Sequence, residues 1–547
     1  MADTAATPPQ TENLTAQRLS FAILGALSVL VLVTFRDYGI SWDEELQSTY
    51  GEKLLALYTS FFADRSALSY VNLYLYGGFF DLCTAIVNRF TPFDMYATRH
   101  LLGGLFGVVG YFGVWRLTKL LAGDWAALLA LAVLASSPLL YGHIFINPKD
   151  APFAWLTVWV LYYSCRALME DGQVTRGTII GLGVALGLAL GTRILAFAWM
   201  ASIFGALAVG VIAANLKTPH QWLPLFWVKA KPLLWALPIA LVLMAVFWPW
   251  SVTAPFNIGV AMKEFAHFPW NTQILWDGET VMSNDLPPEY LPLLLAVQLP
   301  EVVLIGLGVA LGVAGLRLKQ HGVPFFTRPK TLAMLLVSVV TLLPILACAI
   351  LDPTLYNGMR HFLFLVPLLG ILAAVGIDRL LWWVMARAKP VAYALVGIIT
   401  LSIGHQAWIA YELHPNEYVY YNAFVGDLAG AEGLFEMDYW GTSLREATAA
   451  VHYAIDRAPA PPPGGWKVEV CANPKSVMYF LPDGMATFTR NRAEADFYVG
   501  LNALACRDAP LETGRVIAEV KRRGVTLSRA IDLRKPITSP GTPPGPP

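Results

Sequence analysis

Charged residues are scarce in this sequence. Asp, Glu, Lys and Arg make up 14% of its 547 residues, whereas soluble globular proteins carry about 25%. Hydrophobic residues make up 56%, and the mean hydropathy is +0.53. Because so few charges cannot cover the surface of a soluble protein of this length, the composition predicts an integral membrane protein and nearly excludes a soluble enzyme.

The sequence also lacks an excess of charge of one sign and the motifs of several enzyme classes. It has 38 basic and 38 acidic residues, so it does not present the basic face that nucleic-acid phosphates require. No P-loop, HExxH or DxD pattern occurs. This argues against ATP as an energy source and against a nucleotide-sugar donor held through DxD.

Cysteine is rare as well. The five cysteines show neither CxxC nor the Cys/His spacing of a metal site. Cys471 and Cys506 both fall in the last polar segment, and they can pair if that segment lies in an oxidising compartment. The sequence alone leaves this pairing open.

Long apolar runs take the place of the missing charges. We expect about eleven membrane spans of about 17 to 25 residues each. The stretch 177–215 is interrupted at Gly191, and splitting it into two spans puts the basic loops on one side, as the positive-inside rule requires. The predicted spans are 18–35, 99–118, 124–142, 151–168, 177–192, 194–215, 232–249, 290–316, 331–351, 361–385 and 390–411.

This pattern predicts a mainly α-helical, polytopic protein of the inner (plasma) membrane whose polar segments lie on the outer face. The predicted regions are a cytoplasmic tail 1–17, a transmembrane body 18–411, an extracytoplasmic α/β domain 412–533 and a disordered Pro/Gly-rich tail 534–547. The outer loops of the body are 36–98, 143–150, 250–289 and 352–360. Two segments of the first loop, 41–62 and 73–90, are predicted amphipathic helices at the membrane surface.

Three carboxylates on the outer side are candidates for chemistry. Asp43 and Glu44 directly follow the first span, although Ser41 with Glu44 also fits the capping box of a helix N-terminus. Asp150 ends the polar loop 143–150 and can equally cap the next span. Polar residues concentrated at membrane depth are functional candidates by default, so both interpretations stay open at each position.

Several basic residues on the outer side run against the usual charge bias. A long side chain that extends to the interface is the ordinary explanation for each of them. An anionic ligand at the outer leaflet would explain several of them together. Lys149 lies in the polar loop 143–150, and the residues at the outer ends of spans are Arg99, His100, Arg193, Arg360 and His361.

These features resemble the GT-C superfamily of membrane glycosyltransferases, and within it the branch of protein O-mannosyltransferases and aminoarabinose transferases. The resemblance rests on WDEE at 42–45, NPKD at 147–150, YNGMRHFLFLVP at 356–367 and the body of many spans with large outer loops. HPNEYVYYNAFVG at 414–426, followed by FEMDYWGTSLREA, is similar to a block in uncharacterised bacterial members. The C-terminal domain departs from the mannosyltransferases, so the acceptor stays open.

The resemblance implies transfer of a hexosyl or pentosyl group from a polyprenyl-monophosphate carrier to a protein, lipid or glycan acceptor at the outer face. By position, Asp43 matches the catalytic acid of the first loop, with Glu44 beside it, and Asp150 matches the acid of the second loop. A single carboxylate base without a covalent intermediate would invert the anomeric centre. Glu44 and Asp150 are also candidates for holding a divalent metal. The phosphate-binding candidates are Lys149, Arg193, Arg360 and His361.

Two other functions remain compatible with the sequence. A transporter or lipid flippase would use the intramembrane charges for an ion or a head group, although the matching inverted halves of such proteins are not visible. A ligase or polymerase acting on diphosphate-linked glycans would place its key residues in one large late loop. The loop 250–289 carries His267, Trp270, Trp276 and Asp285, but its aromatic residues equally suit an acceptor groove or the membrane interface.

Overall fold

The computed structural model describes residues 12–170, 173–266, 268–351, 353–458, 461–506 and 508–534. His267 and most of both predicted tails lie outside these residues. The helices are α1 (Leu14–Thr34), α2 (Trp42–Thr59), α3 (Phe79–Asn88), α4 (Met95–Ala122), α5 (Asp124–Ala135), α6 (Pro138–Ile146), α7 (Asp150–Met169), α8 (Arg176–Leu190), α9 (Ala196–Ala214), α10 (Trp222–Ala230), α11 (Ala236–Phe247), α12 (Asn257–Ala266), α13 (Tyr290–Gln298), α14 (Glu301–His321), α15 (Pro329–Leu351), α16 (Leu365–Met385), α17 (Lys389–Leu413), α18 (Asp427–Ala431), α19 (Leu444–Asp456) and α20 (Lys475–Met478). The strands are β1 (Gln273–Trp276), β2 (Glu279–Met282), β3 (Trp466–Cys471), β4 (Ala486–Thr489), β5 (Phe497–Leu501), β6 (Arg515–Arg522) and β7 (Val525–Asp532).

Within these residues, eight helical segments are long and apolar enough to cross a membrane, and the pair α5 and α6, bent by 67°, would be a ninth. Eight or nine of the approximately eleven predicted spans thus meet this requirement of length and composition. The two remaining segments are helices at the predicted positions, α7 and α8. With 15 residues, α8 extends only about 22 Å, against a hydrocarbon core of about 30 Å. Neighbouring helices bury most of α7. This burial allows α7 to carry polar residues that contact with lipid would disfavour.

The chain breaks between α8 and α9, as the sequence predicted. At the break, the Gly191 carbonyl accepts a hydrogen bond from the Phe79 amide at 3.0 Å, and the Gly78 amide donates to the Phe247 carbonyl at 2.8 Å. Gly77 lies so close to the Gly191 backbone that a Cβ atom would overlap with it. These contacts hold the segment before α3 against the ends of α8 and α11.

The two helices predicted in the first outer loop are present as α2 and α3, and a glycine sets their contact. Gly51 in α2 lies against the backbone of Asp81 in α3, where a side chain would overlap. Tyr50 and Leu54 are buried in an apolar cluster beside this contact. Because residues four apart in a helix share a face, Gln47 lies on the face of α2 that meets α3.

The loop 250–289, which was predicted to lie on the outer face, contains secondary structure that the sequence did not predict. Helix α12 is followed by the antiparallel hairpin β1–β2, in which Trp276 pairs with Glu279. Asp277 and Gly278 between them have φ angles of 47° and 83°, which a two-residue type I′ turn requires. The Asp-Gly pair between two short apolar runs was the signal that could have predicted this hairpin.

The described residues from 436 onward, together with 39–42, form a second compact unit. Its five strands have the order β4-β3-β5-β7-β6, in which β3 is parallel to β4 and β5 and the other pairs are antiparallel. Strands β6 and β7 turn at Gly524, whose φ angle is 86°. Leu444 and Val451 of α19 are buried in the same apolar core as the sheet. This confirms a small C-terminal α/β unit.

Residues 412–435, which the sequence analysis placed in the C-terminal domain, lie in the first compact unit. The Asn422 amide donates to the carbonyls of Ala296 at 2.7 Å and Leu299 at 2.8 Å. The Ala423 amide donates to the Glu301 carboxylate at 2.8 Å. A boundary drawn at the end of the last apolar run could not anticipate these bonds, because they join segments more than 120 residues apart.

Cys471 and Cys506 form a disulfide in the C-terminal unit, with their Cα atoms 5.7 Å apart. The bond links the end of β3 to the segment after β5, across a sequence separation of 35 residues. Among the described residues, Cys83, Cys165 and Cys348 take part in no disulfide. The structure thus contains the pairing that the sequence left open.

Candidate active site

Asp43 lies in the first turn of α2 and pairs with Arg360. The Arg360 Nη1 donates a hydrogen bond to Asp43 Oδ2 at 2.6 Å. Arg360 begins the 3-10 turn Arg360–Phe362, just before α16. The Arg360 side chain is only 6% exposed, whereas the Asp43 side chain is 35% exposed. The carboxylate is therefore the accessible member of this pair.

A second ion pair forms at the NPKD segment. Asp150, in the first turn of α7, pairs with Arg193 from the break between α8 and α9. The Asn147 Oδ1 accepts hydrogen bonds from the amides of Asp150 at 2.8 Å and Lys149 at 3.3 Å. Asn147 therefore satisfies the backbone donors at the start of α7, and the Asp150 carboxylate faces Arg193 instead of serving as a cap.

Lys149 lies between these two ion pairs. Its Nζ is 3.8 Å from the centroid of the Tyr76 ring, and the Arg193 guanidinium is 6.0 Å from the same ring, both within the range of cation–π contacts. Burial and the charge of Arg193 lower the pKa of Lys149 to about 8, although Asp43 and Asp150 act in the opposite direction. Lys149 is therefore mostly cationic at neutral pH and loses its proton under mildly alkaline conditions.

The charges of this cluster do not balance. Lys149, Arg193 and Arg360 carry positive charge, against the carboxylates of Asp43 and Asp150. Burial acts to raise the pKa of Asp43, but the three cations together outweigh it and hold this pKa below its ordinary value. Asp43 is thus ionised at neutral pH, and the surplus of positive charge suits an anionic ligand such as a phosphate.

His361 adds a neutral polar group to the cluster. Burial, followed by the charges of Arg360 and other nearby cations, lowers the pKa of His361 well below its ordinary value. Its buried Nδ1 has no hydrogen-bond partner among the described residues. The imidazole packs edge-on against Tyr356, with ring centroids 4.9 Å apart, and Tyr356 lies 5.7 Å from Trp270. Loop 250–289 therefore reaches the edge of the cluster.

Glu44 contacts His100 and not Asp150. Its Oε1 lies 3.0 Å from His100 Nε2, and both side chains are buried. The metal hypothesis requires Glu44 and Asp150 to face one ion, but Asp150 pairs with Arg193. Across the described residues, no three side chains of His, Cys, Asp or Glu converge as metal ligands would. These residues do not fit a shared divalent metal.

Sequence reasoning missed Gln47 and Tyr76, which contact Lys149, and Asp81, which contacts Gln47. Asp81 carried a usable signal, because a lone carboxylate in the apolar run GGFFDLCTA needs a partner if it is buried. Its partner is Arg99, whose Nη2 lies 2.7 Å from Asp81 Oδ1. Gln47 and Tyr76 carried no such signal, since uncharged polar and aromatic residues are ordinary on a surface helix or loop.

Residues 84–250 match the family of dolichyl-phosphate-mannose-protein mannosyltransferases. The matched stretch contains Lys149, Asp150 and Arg193, but it contains neither Asp43 nor Arg360. Among curated protein sequences, none matches the chain at a significant level.

Solved structures share the fold of this chain. ArnT from Cupriavidus metallidurans in the apo state aligns with a TM-score of 0.50 at 16% identity, over 94% of this chain and 98% of ArnT. The same protein bound to undecaprenyl phosphate aligns with a TM-score of 0.50 at 13% identity, over 95% and 99% of the two chains. A more distant match is the archaeal oligosaccharyltransferase AglB from Archaeoglobus fulgidus, which was solved in complex with an inhibitory peptide and a dolichol-phosphate. It aligns with a TM-score of 0.47 at 12% identity, over 89% of this chain and 70% of AglB. The chain therefore has an ArnT-like fold, and its residues 84–250 are similar to the dolichyl-phosphate-mannose-protein mannosyltransferases.

Proposed function

We propose that the protein transfers a hexosyl or pentosyl group from a polyprenyl-monophosphate carrier to an acceptor at the outer face of the inner (plasma) membrane. Asp43 is the general base, and the anomeric centre inverts. The observation that carries this proposal is the pair of accessible Asp43 and buried Arg360 beside Lys149 and Arg193. A carboxylate that can accept a proton and cations that can hold a phosphate thus lie together.

In this reaction, the acceptor's oxygen or nitrogen forms a bond to the anomeric carbon while the bond from that carbon to the phosphate oxygen breaks. Asp43 takes the acceptor's proton. The polyprenyl phosphate leaves with one additional negative charge, which Arg360, Lys149 and Arg193 stabilise. The incoming phosphate competes with Asp43 for Arg360, and this frees the carboxylate to accept the proton. Displacement without a covalent intermediate inverts the anomeric centre.

Independent observations support the choice of donor and of membrane face. The matched family is described by dolichyl-phosphate-mannose, and ArnT was solved with undecaprenyl phosphate; both are phosphates of polyprenyl lipids. The predicted topology puts the N-terminus in the cytoplasm and the C-terminal unit outside. The disulfide between Cys471 and Cys506 supports that orientation, because disulfides persist in oxidising compartments.

The experiment that tests the function compares lipids from cells that produce equal membrane levels of the wild-type protein or of Asp43→Asn. We expect mass spectrometry to show one polyprenyl-monophosphate sugar that accumulates in the variant and is depleted by the wild type, which would also identify the sugar. The comparison requires matched protein levels and a wild-type activity that is otherwise demonstrated. Under these conditions, equal pools of polyprenyl-monophosphate sugars in the two strains would contradict a lipid-monophosphate donor and favour the transporter alternative.

The pKa of Lys149 predicts how pH changes donor binding. Lys149 is cationic below a pKa of about 8 and neutral above it, so it attracts a phosphate less as the pH rises. We expect the dissociation constant for undecaprenyl phosphate to increase about tenfold between pH 7 and pH 9, as the competent fraction of the protein falls. The measurement is lipid binding to the purified protein at several pH values. Lys149→Met should remove this dependence, and an equally steep dependence in that variant would show that another group titrates.

A further inference from the structure

A continuous row of polar contacts leads from α4 to Lys149. The Arg99 Nη2 donates to Asp81 Oδ1 at 2.7 Å. The Gln47 amide nitrogen, oriented by its neighbours, donates to the other carboxylate oxygen, Asp81 Oδ2, at 2.6 Å. The Gln47 amide oxygen accepts a hydrogen bond from Lys149 Nζ at 3.0 Å. The row thus ends at one of the three cations of the site.

The row is buried and anchored on three helices. Arg99 is 1% exposed, while Asp81 and Gln47 are each 3% exposed. Arg99 is further held by a hydrogen bond from its Nη1 to Thr84 Oγ1 at 3.0 Å. One turn from Gln47, Gly51 of α2 lies so close to the Asp81 backbone of α3 that a Cβ atom would overlap with it. The Asp81 carboxylate, which Arg99 holds in place, therefore determines the orientation of the Gln47 amide.

We propose that Gln47 is a positioning residue, whose amide oxygen holds the Lys149 ammonium in place for the donor phosphate. This inference rests on the proposed function, because it assigns Lys149 to the phosphate. The Asp81–Arg99 pair serves as the anchor, since it forces the amide nitrogen toward Asp81 and the oxygen toward Lys149. In this role, Gln47 acts on Lys149 and does not itself contact the phosphate.

An uncharged amide suits this role better than a carboxylate. An amide oxygen takes up one of the three ammonium donors of Lys149 and leaves its full positive charge available. A carboxylate at the same place would form an ion pair with Lys149 and reduce its attraction for the phosphate. Lys149 also faces Asp43, Asp150, Arg193 and Arg360, so without Gln47 its ammonium can turn toward one of the carboxylates.

The test uses the purified full-length protein and undecaprenyl phosphate as the probe. Gln47→Met keeps the length of the side chain but removes both hydrogen bonds. We expect it to raise the dissociation constant about tenfold, as for a hydrogen bond to a charged group. The decisive comparison is the double variant Gln47→Met/Lys149→Met. If Gln47 acts through Lys149, the double variant binds no more weakly than Lys149→Met alone.

Gln406→Met is the matched control. Gln406 is a buried glutamine that donates to a carboxylate, Glu301, at 2.9 Å, but it lies outside the site. We expect its lipid affinity to remain at the wild-type value, even if its thermal stability falls as much as that of Gln47→Met. Equal losses of affinity in both glutamine variants would mean that Gln47 has a structural role only.

Two results separate this inference from the proposed function. If the effects of Gln47→Met and Lys149→Met on the dissociation constant multiply in the double variant, the positioning role is overturned. The donor site itself would still stand. A wild-type protein that does not bind undecaprenyl phosphate, or a Lys149→Met variant that binds it with unchanged affinity, would instead contradict the donor assignment on which the inference rests.

Discussion

Asp43→Asn is expected to lower kcat/KM for sugar transfer by about 10²–10⁴-fold, the usual contribution of a general base. The amide keeps the shape of the side chain but cannot accept the acceptor's proton. The loss should appear in kcat, because the phosphate-binding cations remain. The measurement is transfer by the purified protein in vesicles, with the donor that lipid mass spectrometry identifies.

Glu45→Gln provides the control for this substitution. Glu45 lies in the same first turn of α2, so its replacement removes the same charge from the same helix terminus. We expect near-normal activity from Glu45→Gln. Comparable losses in the two variants would show that acidic residues at this position only stabilise the start of α2, as the capping interpretation of WDEE requires.

Arg360→Met is expected to reduce kcat by about 10²–10³-fold, the range observed when one donor to a developing negative charge is removed. Arg360 is buried and directed at Asp43, and in the proposed reaction it moves its hydrogen bonds to the departing phosphate. Its loss should also raise the pKa of Asp43, because the charge of Arg360 is the largest effect that lowers it. The acidic limb of the pH–rate profile should therefore move to higher pH.

Two further variants distinguish charge from geometry at this position. Arg360→Lys retains the charge but loses the planar, two-pronged donor, so we expect only partial recovery of the rate. Arg387→Met removes an exposed arginine whose Cζ lies 4.3 Å from the centroid of the Trp383 ring. This variant should leave kcat unchanged. If Arg360→Met transferred sugar at the wild-type rate, the phosphate-stabilising role would be refuted.

Much of the fold was predictable because apolar runs and turn residues act locally. The run from Arg18 to Phe35 predicted α1, and the break at Gly191 predicted two helices in place of one. The number of full spans was not predictable in this way. Whether α7 contacts lipid or protein depends on its neighbours, and a buried helix such as α7 tolerates polar residues that a lipid-facing one does not.

The sequence by itself determined which chemical groups are available: a carboxylate after the first span, a polar segment ending at Asp150 and basic residues on the side where few are expected. Only the tertiary structure decided which of them act together. Asp43 and Arg360 are 317 residues apart in the chain, and Glu44, next to Asp43, faces His100 instead. The physical reason is that a helix turns about 100° per residue, so adjacent side chains point to different neighbours, and the packing of distant segments alone selects the partner of each charge.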